Sequence, residues 1–162
     1  MIARFTPSLA LLLLCALFAA CSSFGRQWKD AASSKSATRW EGRWTSHQHK
    51  TPSGPAGGRL RAVIEPAVEG KLTAHFHANW QIFSSDYTMT LNPKDPATRR
   101  GAAREFVGTH ELPKMFGGTY RYQAQIAGDD FKASYDSSYD TGIFTLRRLP
   151  LAKDYAPAHA GH

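Results

Sequence analysis

Two His-x-His pairs are the residues whose type and spacing most directly suggest chemistry. His47 and His49 form one pair, and His75 and His77 form the other. Residues two positions apart share a face of a β-strand, so two neighbouring strands could present four imidazoles to Zn²⁺ or Cu²⁺. The same alternation arises when polar histidines simply line the solvent face of strands. Because no Asp, Glu or Cys stands at a spacing that would complete a site, we predict no bound metal or other cofactor.

Acidic residues gather around one predicted strand near the C-terminal end; they are Asp129, Asp130, Asp136 and Asp140. Such carboxylates could pair as general acid and base or bind Ca²⁺. They also lie among the Gly and Ser residues that ordinary turns contain. The sequence has no nucleophile elbow, phosphate-binding loop, Cys-His pair or His-Glu-x-x-His helix. We therefore expect that the protein is not an enzyme.

Aromatic side chains recur along the whole chain at alternate positions. Those that could line a cavity for a small apolar ligand are Trp44, Phe76, Trp80, Tyr87, Tyr120, Tyr122, Tyr135 and Phe144. The same rings could instead pack together and fill a barrel. As ligand-binding residues we select Trp44, Phe76, Trp80, Tyr120, Tyr122 and Tyr135.

The elements that must position these residues are strands. Apolar residues alternate with polar ones in eight segments, most clearly in residues 71–80, and Gly-, Pro- and Asp-containing turns separate the segments. No stretch of ten residues has a convincing amphipathic helical pattern. We predict an all-β domain over residues 39–149, an antiparallel meander of about eight strands that closes into a barrel, with long loops at 50–58 and 92–104.

Gly42-Arg43-Trp44, in the first predicted strand, resembles the G-x-W motif that opens lipocalins and other calycin barrels. The resemblance implies that Trp44 closes one end of the barrel and that Arg147 or Arg148 of the last strand stacks on its indole. It covers two strand ends, and the chain lacks the lipocalin disulfides. A streptavidin-like barrel or a small open sandwich remains an alternative.

The N-terminus has the features of an export signal. Residues 9–20 form an apolar run after the single cation Arg4. This run is too short to span a bilayer, which takes about 20 residues. Phe18-Ala19-Ala20-Cys21 resembles the lipobox of bacterial lipoproteins, which implies that residues 1–20 are a signal peptide and that Cys21 carries acyl chains such as palmitate. An ordinary secretory signal cleaved near Ala20, which leaves a soluble protein with a free thiol, is the alternative.

The remaining segments and the charge complete the prediction. Residues 21–38 have the composition of a flexible tether, and residues 150–162 have the composition of a flexible tail. Within the tether, Trp28 could lie at the lipid interface or pack on the domain. The chain has 20 Lys and Arg against 13 Asp and Glu. Its arginine pairs are scattered, so we expect no nucleic-acid partner.

The expected protein is an exported lipoprotein that a lipid bilayer holds through Cys21. By resemblance to Gram-negative lipoproteins, the absence of Asp after Cys21 favours the outer membrane, facing the periplasm, if the source is Gram-negative. Its expected function is non-catalytic binding of a small apolar or amphipathic ligand inside the barrel. The alternative is an envelope structural or protein-interaction role of the outer surface and loops.

Overall fold

The structure is a computed structural model that describes residues 23–80, 83–95, 102–114 and 117–152. Eight antiparallel strands follow one another around a closed barrel, in which the last strand pairs with the first. The strands are β1 (Thr38–Thr51), β2 (Gly54–Pro66), β3 (Leu72–Trp80), β4 (Phe83–Pro93), β5 (Arg104–Glu111), β6 (Thr119–Ala127), β7 (Asp130–Asp136) and β8 (Thr141–Arg148). The prediction of an all-β meander closed into a barrel is confirmed.

Alternation of side chains determines which face of each strand is buried. In β7 every second residue is buried, namely Phe131, Ala133 and Tyr135, and the residues between them are exposed. The inward residues of all strands form a single core. Closure buries this face and pairs β1 with β8, so the first and last strands are not edge strands of an open sheet.

β1 and β2 continue beyond the barrel as a hairpin. Lys50 pairs with Pro55 and Thr51 with Gly54, which leaves only residues 52 and 53 in the turn. The prediction of a loop at 50–58 is therefore wrong, because only residues 52 and 53 form a turn. Pro55 lies in β2 beyond the part that pairs with β3, where its missing backbone donor costs little. Pairing of β1 with β8 ends at Ser46, and pairing of β2 with β3 ends at Leu60. We call residues 47–59 the hairpin arm.

The segment before β1 differs from the flexible tether that its composition predicts. Residues 23–30 are helical, and Phe24, Ala31 and Ala37 are buried against Val63 on the outer face of β2. Tertiary contact explains this helix, because a segment this short is marginal on its own in water. No helix in the described part of the chain is long and apolar enough to cross a bilayer.

Some sequence predictions fall outside the described residues. These are the signal peptide, Cys21, part of the 92–104 loop and the tail from residue 153. Just before that tail, the Ala152 amide donates a hydrogen bond to the Ala32 carbonyl at 2.9 Å. The two ends of the described chain therefore meet beside the start of β1.

Candidate functional site

One end of the barrel is sealed by two buried rings, each covered by an arginine. Trp40 is only 1% exposed, and the Arg148 guanidinium lies 4.9 Å from the centroid of its indole ring. The Arg104 guanidinium lies 5.0 Å from the ring centroid of buried Phe106. Trp40 also donates a hydrogen bond from Nε1 to Thr38 Oγ1 at 2.9 Å, so its polar atom is satisfied. We call this the closed end.

The expected stacking of an arginine on Trp44 is wrong. In the β1–β8 ladder Trp40 lies opposite Arg148, whereas Trp44 lies opposite Phe144. Four residues of strand span about 13 Å, so Trp44 is too far along β1 to reach Arg147 or Arg148. Instead, Trp44 donates a hydrogen bond from Nε1 to the Asn79 carbonyl at 3.1 Å.

The opposite end leaves aromatic rings partly exposed, and we call it the open end. Trp44, Tyr87, Tyr120 and His110 are half-buried there. Trp80, the last residue of β3, is 45% exposed. This end therefore presents several rings to solvent, while the closed end presents arginines.

Beneath the open end lies a packed floor of aromatic rings. Phe76, Tyr122, Tyr135 and Phe144 are buried. The rings of Tyr135 and Phe144 are 5.3 Å apart between centroids, and those of Tyr122 and Phe144 are 5.7 Å apart. Such offset and tilted contacts stabilise a core. Rings thus fill this part of the interior.

The six predicted ligand-binding residues therefore separate into two groups. Phe76, Tyr122 and Tyr135 belong to the floor, while Trp44, Trp80 and Tyr120 lie at the open end. The sequence analysis also missed His110, which lies directly opposite Tyr120 in the β5–β6 ladder. The sequence could have indicated this position, because His110 is two residues after inward-facing Gly108 and therefore lies on the same face of β5.

His110 and Tyr87 meet across a seam in the barrel wall. In the described residues, the β4–β5 ladder contains only the pairs Asn92 with Val107 and Pro93 with Phe106. Towards the open end, side chains connect the two strands instead: the rings of Tyr87 and His110 are 5.1 Å apart between centroids. Two strands joined by side-chain contacts, such as this part of β4 and β5, separate more easily than strands joined by backbone hydrogen bonds.

The polar groups near the floor are held in their neutral forms. Burial raises the pKa of the Tyr122 hydroxyl well above its usual range, and the neighbouring Tyr120 adds to the effect. Burial also raises the pKa of Tyr135, which donates a hydrogen bond to a carboxylate. Burial lowers the pKa of His110. This end therefore offers uncharged hydroxyl and imidazole groups near neutral pH.

Asp140 is a buried carboxylate that links two strands and a turn. It is 6% exposed, and its two oxygens accept hydrogen bonds from Ser46 Oγ at 2.6 Å and from the Tyr135 hydroxyl at 2.7 Å. Ser46 Oγ in turn accepts a hydrogen bond from the His49 amide at 2.8 Å. These contacts tie the β7–β8 turn to the base of the hairpin arm.

Two of the remaining acidic residues form exposed ion pairs at the closed end. Asp129 lies 3.6 Å from Arg148, and Asp130 lies 3.4 Å from Arg147. Exposed pairs of this kind contribute little to stability. The acidic cluster that the sequence suggested is thus divided between the two ends of the barrel.

The two histidine pairs are not brought together. His77 is level with Glu41 across β2, because both lie opposite Arg61. His47 is six residues beyond Glu41 in β1, and six residues of strand span about 20 Å. No group of three or more metal-ligating side chains occurs among the residues with described positions.

Individual contacts occupy three of these histidines. His75 Nδ1 is 2.9 Å from Thr88 Oγ1, and His77 is paired with Asp86. A ring nitrogen of His49 lies 3.2 Å from the Tyr139 carbonyl oxygen. The histidines on β3 therefore interact with β4, and His49 interacts with the β7–β8 turn.

A surface depression of about 410 Å³ lies outside the barrel, on β6, β7 and β8. Its lining combines polar residues such as Gln123 and Lys132 with apolar ones such as Ile143. It is separate from the aromatic open end, which remains the candidate site. In comparisons with known proteins, no family model, no curated protein and no solved structure matches this chain.

Proposed function

We propose that this protein is an exported lipoprotein, anchored through acylated Cys21, whose barrel binds a small apolar or amphipathic ligand at its open end without catalysing a reaction. The observation that carries the proposal is the difference between the two ends. Arginines cover the rings at the closed end, whereas Trp44, Tyr87 and Tyr120 stay partly exposed at the open end. Partly exposed aromatic rings supply the apolar contact surface that small-molecule sites use.

The lining of the open end indicates the kind of ligand. Each ring contact contributes about 0.5–1.5 kcal/mol beyond the burial of apolar area. Neutral His110 and the hydroxyl of half-buried Tyr120 carry hydrogen-bond donors and acceptors, so they suit an uncharged polar group. The packed floor limits the ligand to the mouth of the barrel. A flat apolar body with one small polar group fits these properties best.

We also propose that the barrel is calycin-like. The supporting observations are the closed eight-stranded meander and the stacking of Arg148, from the last strand, on Trp40 of the first. The G-x-W resemblance implies an arginine of the last strand stacked on a tryptophan of the first strand. The tryptophan in this contact is Trp40, four residues before the Trp44 of the motif. The proposal concerns architecture and leaves the ligand to be identified by experiment.

The proposed anchor rests on the lipobox-like residues Phe18 to Cys21. Each buried methylene of an acyl chain contributes about 0.8 kcal/mol, so a multiply acylated cysteine holds a protein on a bilayer without a membrane-spanning helix. Cys21→Ala should abolish incorporation of labelled palmitate and move the protein out of the membrane fraction. Persistent labelling of that variant would overturn the anchor.

The ligand proposal is tested by native mass spectrometry of the full lipoprotein, purified in detergent from its own host. We expect a co-purifying small molecule that is depleted in Tyr120→Ala and retained in Val68→Ala. Tyr120 lies at the open end, while Val68 is an exposed residue of the β2–β3 turn at the closed end and serves as the control. Absence of any bound molecule, or equal loss from both variants, would refute binding at the open end.

A protein-interaction role is the second candidate, and the hairpin arm favours it. In the described ladders, Lys50 and Thr51 pair only with Pro55 and Gly54, so this part of each strand has a free outer edge. Free edges can add a strand from a partner protein. A photo-crosslinking residue at exposed His47 should then give one discrete adduct in cells, whereas the same residue at exposed Lys132 should give none. Identical patterns at both positions would refute this role.

A further inference from the structure

We propose that the open end of the barrel faces the bilayer that holds Cys21, so that its ligand is a membrane amphiphile that exchanges with the lipid phase. This inference rests on the proposed acylation of Cys21. The proposed orientation is inferred from the position of the helical segment, residues 23–30, on the outside of the barrel.

Stacked rings and arginines hold the helical segment in place. The Phe24 ring stacks on the His77 ring with a centroid distance of 5.1 Å. The Arg61 guanidinium lies 5.9 Å from the Phe24 ring centroid and 5.3 Å from that of Trp28. The Arg39 guanidinium lies 5.5 Å from the Trp28 ring centroid. Together with buried Phe24, these contacts dock the segment on β1, β2 and β3.

The helical segment runs from the open half of the barrel towards the closed end. Phe24 lies against His77, which is three residues before the open-end rim at Trp80. Ala31 and Ala37 pack with Val63, and Ala37 immediately precedes the start of β1 at the closed end. The chain therefore enters the described structure on the open half.

The distance from this entry point to Cys21 is short. Cys21 is two residues before Ser23, and two extended residues span at most about 7 Å. The open-end rim at Trp80 is three residues of strand, about 10 Å, beyond His77. A flexible chain over residues 22–38 would instead have an r.m.s. length of about 23 Å and would let the barrel turn freely. The docked segment therefore keeps the anchor beside the open half.

Surface chemistry at the two ends agrees with this orientation. Trp80 and Tyr139 at the open end are 45% and 47% exposed. Trp and Tyr are the side chains that favour the membrane interface, because an apolar ring and a polar group occur in one residue. The closed end carries the Arg147–Asp130 and Arg148–Asp129 ion pairs, which favour water. Of the two ends, the open end is thus better suited to lipid headgroups.

The orientation can be measured with single spin labels on the full lipoprotein in vesicles of phosphatidylethanolamine and phosphatidylglycerol. The lipid occupies the sulfur of Cys21, so an introduced cysteine is labelled alone. Ser85→Cys places the label at the open end, and Val68→Cys places it on an exposed turn at the closed end. We expect the Ser85 label to collide more with dissolved O₂ and less with a water-soluble nickel complex than the Val68 label does.

Equal nickel accessibility at both positions, or the reverse order, would overturn the orientation. Retention on vesicles and palmitate labelling are measured on the same samples, so failure of the anchor is seen separately. A Phe24→Ala, Trp28→Ala double variant should stay on the vesicles yet lose the difference between the two labels. Lys29→Ala, at an exposed position of the same helical segment, is the matched control and should keep it.

Discussion

The Arg148 guanidinium lies over the Trp40 indole, 4.9 Å from the ring centroid, and the two residues are direct partners in the β1–β8 ladder. They belong to the last and first strands, so their contact lies on the seam that closes the barrel. Next to it, the Leu149 amide donates a hydrogen bond to the Arg39 carbonyl at 2.8 Å. Closure of the barrel and sealing of one end thus depend on the same few residues.

Trp40→Ala should lower the free energy of unfolding by about 3–5 kcal/mol, because truncation of a fully buried aromatic residue leaves a cavity. Trp44→Ala should cost less, since Trp44 is half-buried at the open end. Urea denaturation of both variants, followed by circular dichroism, measures the two values. A larger loss for Trp44 than for Trp40 would contradict the assignment of the closed end.

Gly42→Ala should destabilise the barrel by more than about 1 kcal/mol. A Cβ atom at Gly42 would lie 2.0 Å from the Thr145 carbonyl oxygen, so β1 and β8 would have to separate. Gly25 is the matched control, because it is helical and a Cβ there meets nothing within 4 Å. Gly25→Ala should stabilise the protein by up to about 1 kcal/mol, as alanine favours helix over glycine. Thermal unfolding separates the two, and equal shifts in Tm would refute the prediction.

Ser46→Ala should cost about 1.5–3 kcal/mol, the range for a hydrogen bond to a charged group. It removes one of the two donors to buried Asp140 and also the acceptor of the His49 amide. Ser53→Ala, in the exposed turn of the hairpin arm, is the control and should change stability little. Chemical denaturation measures both variants. A neutral Ser46→Ala would mean that Asp140 finds another partner.

Stability should fall as the pH rises above about 10. Burial raises the pKa of Tyr122 and Tyr135 in the folded protein, whereas tyrosines of the unfolded chain ionise near 10. Above that pH the folded state holds more protons than the unfolded state, so each buried tyrosine lowers stability by up to about 1.4 kcal/mol per pH unit. Unfolding at pH 9 and 11 measures the slope.

Tyr122→Phe, which removes one ionisable hydroxyl, should reduce that slope. Tyr139→Phe is the control, because Tyr139 is an exposed tyrosine outside the buried floor. If the absorbance of tyrosinate rises fully before the protein unfolds, the buried hydroxyls ionise in the folded state. That result would contradict the prediction.

Which residues the barrel buries was readable from the sequence, because a strand turns every second side chain to one face whatever its neighbours are. The alternation predicted in residues 71–80 is confirmed for this reason, since Ala74 and Phe76 are buried there. Turn residues marked most strand ends, although the Pro- and Gly-rich stretch after Thr51 proved to be strand. The number of strands and the closed meander followed from these local patterns.

The ends of the barrel required the tertiary structure. Whether Trp40 or Trp44 meets an arginine depends on the register between β1 and β8, which are about a hundred positions apart in the chain. His110 joins the open end only because β5 pairs with β6 and Tyr87 crosses from β4. Such pairings leave no local pattern in the residues around each partner.

The strand faces, the polar and apolar alternation, and the lipobox-like residues before Cys21 can be predicted from consecutive residues alone. The docked helix of residues 23–30 could not be predicted in this way, because Phe24 and Trp28 gain their partners from β1, β2 and β3. Only the tertiary structure also decided which end of the barrel is sealed. The physical reason is the same in both cases: contacts between distant residues depend on register and packing, which local periodicity does not specify.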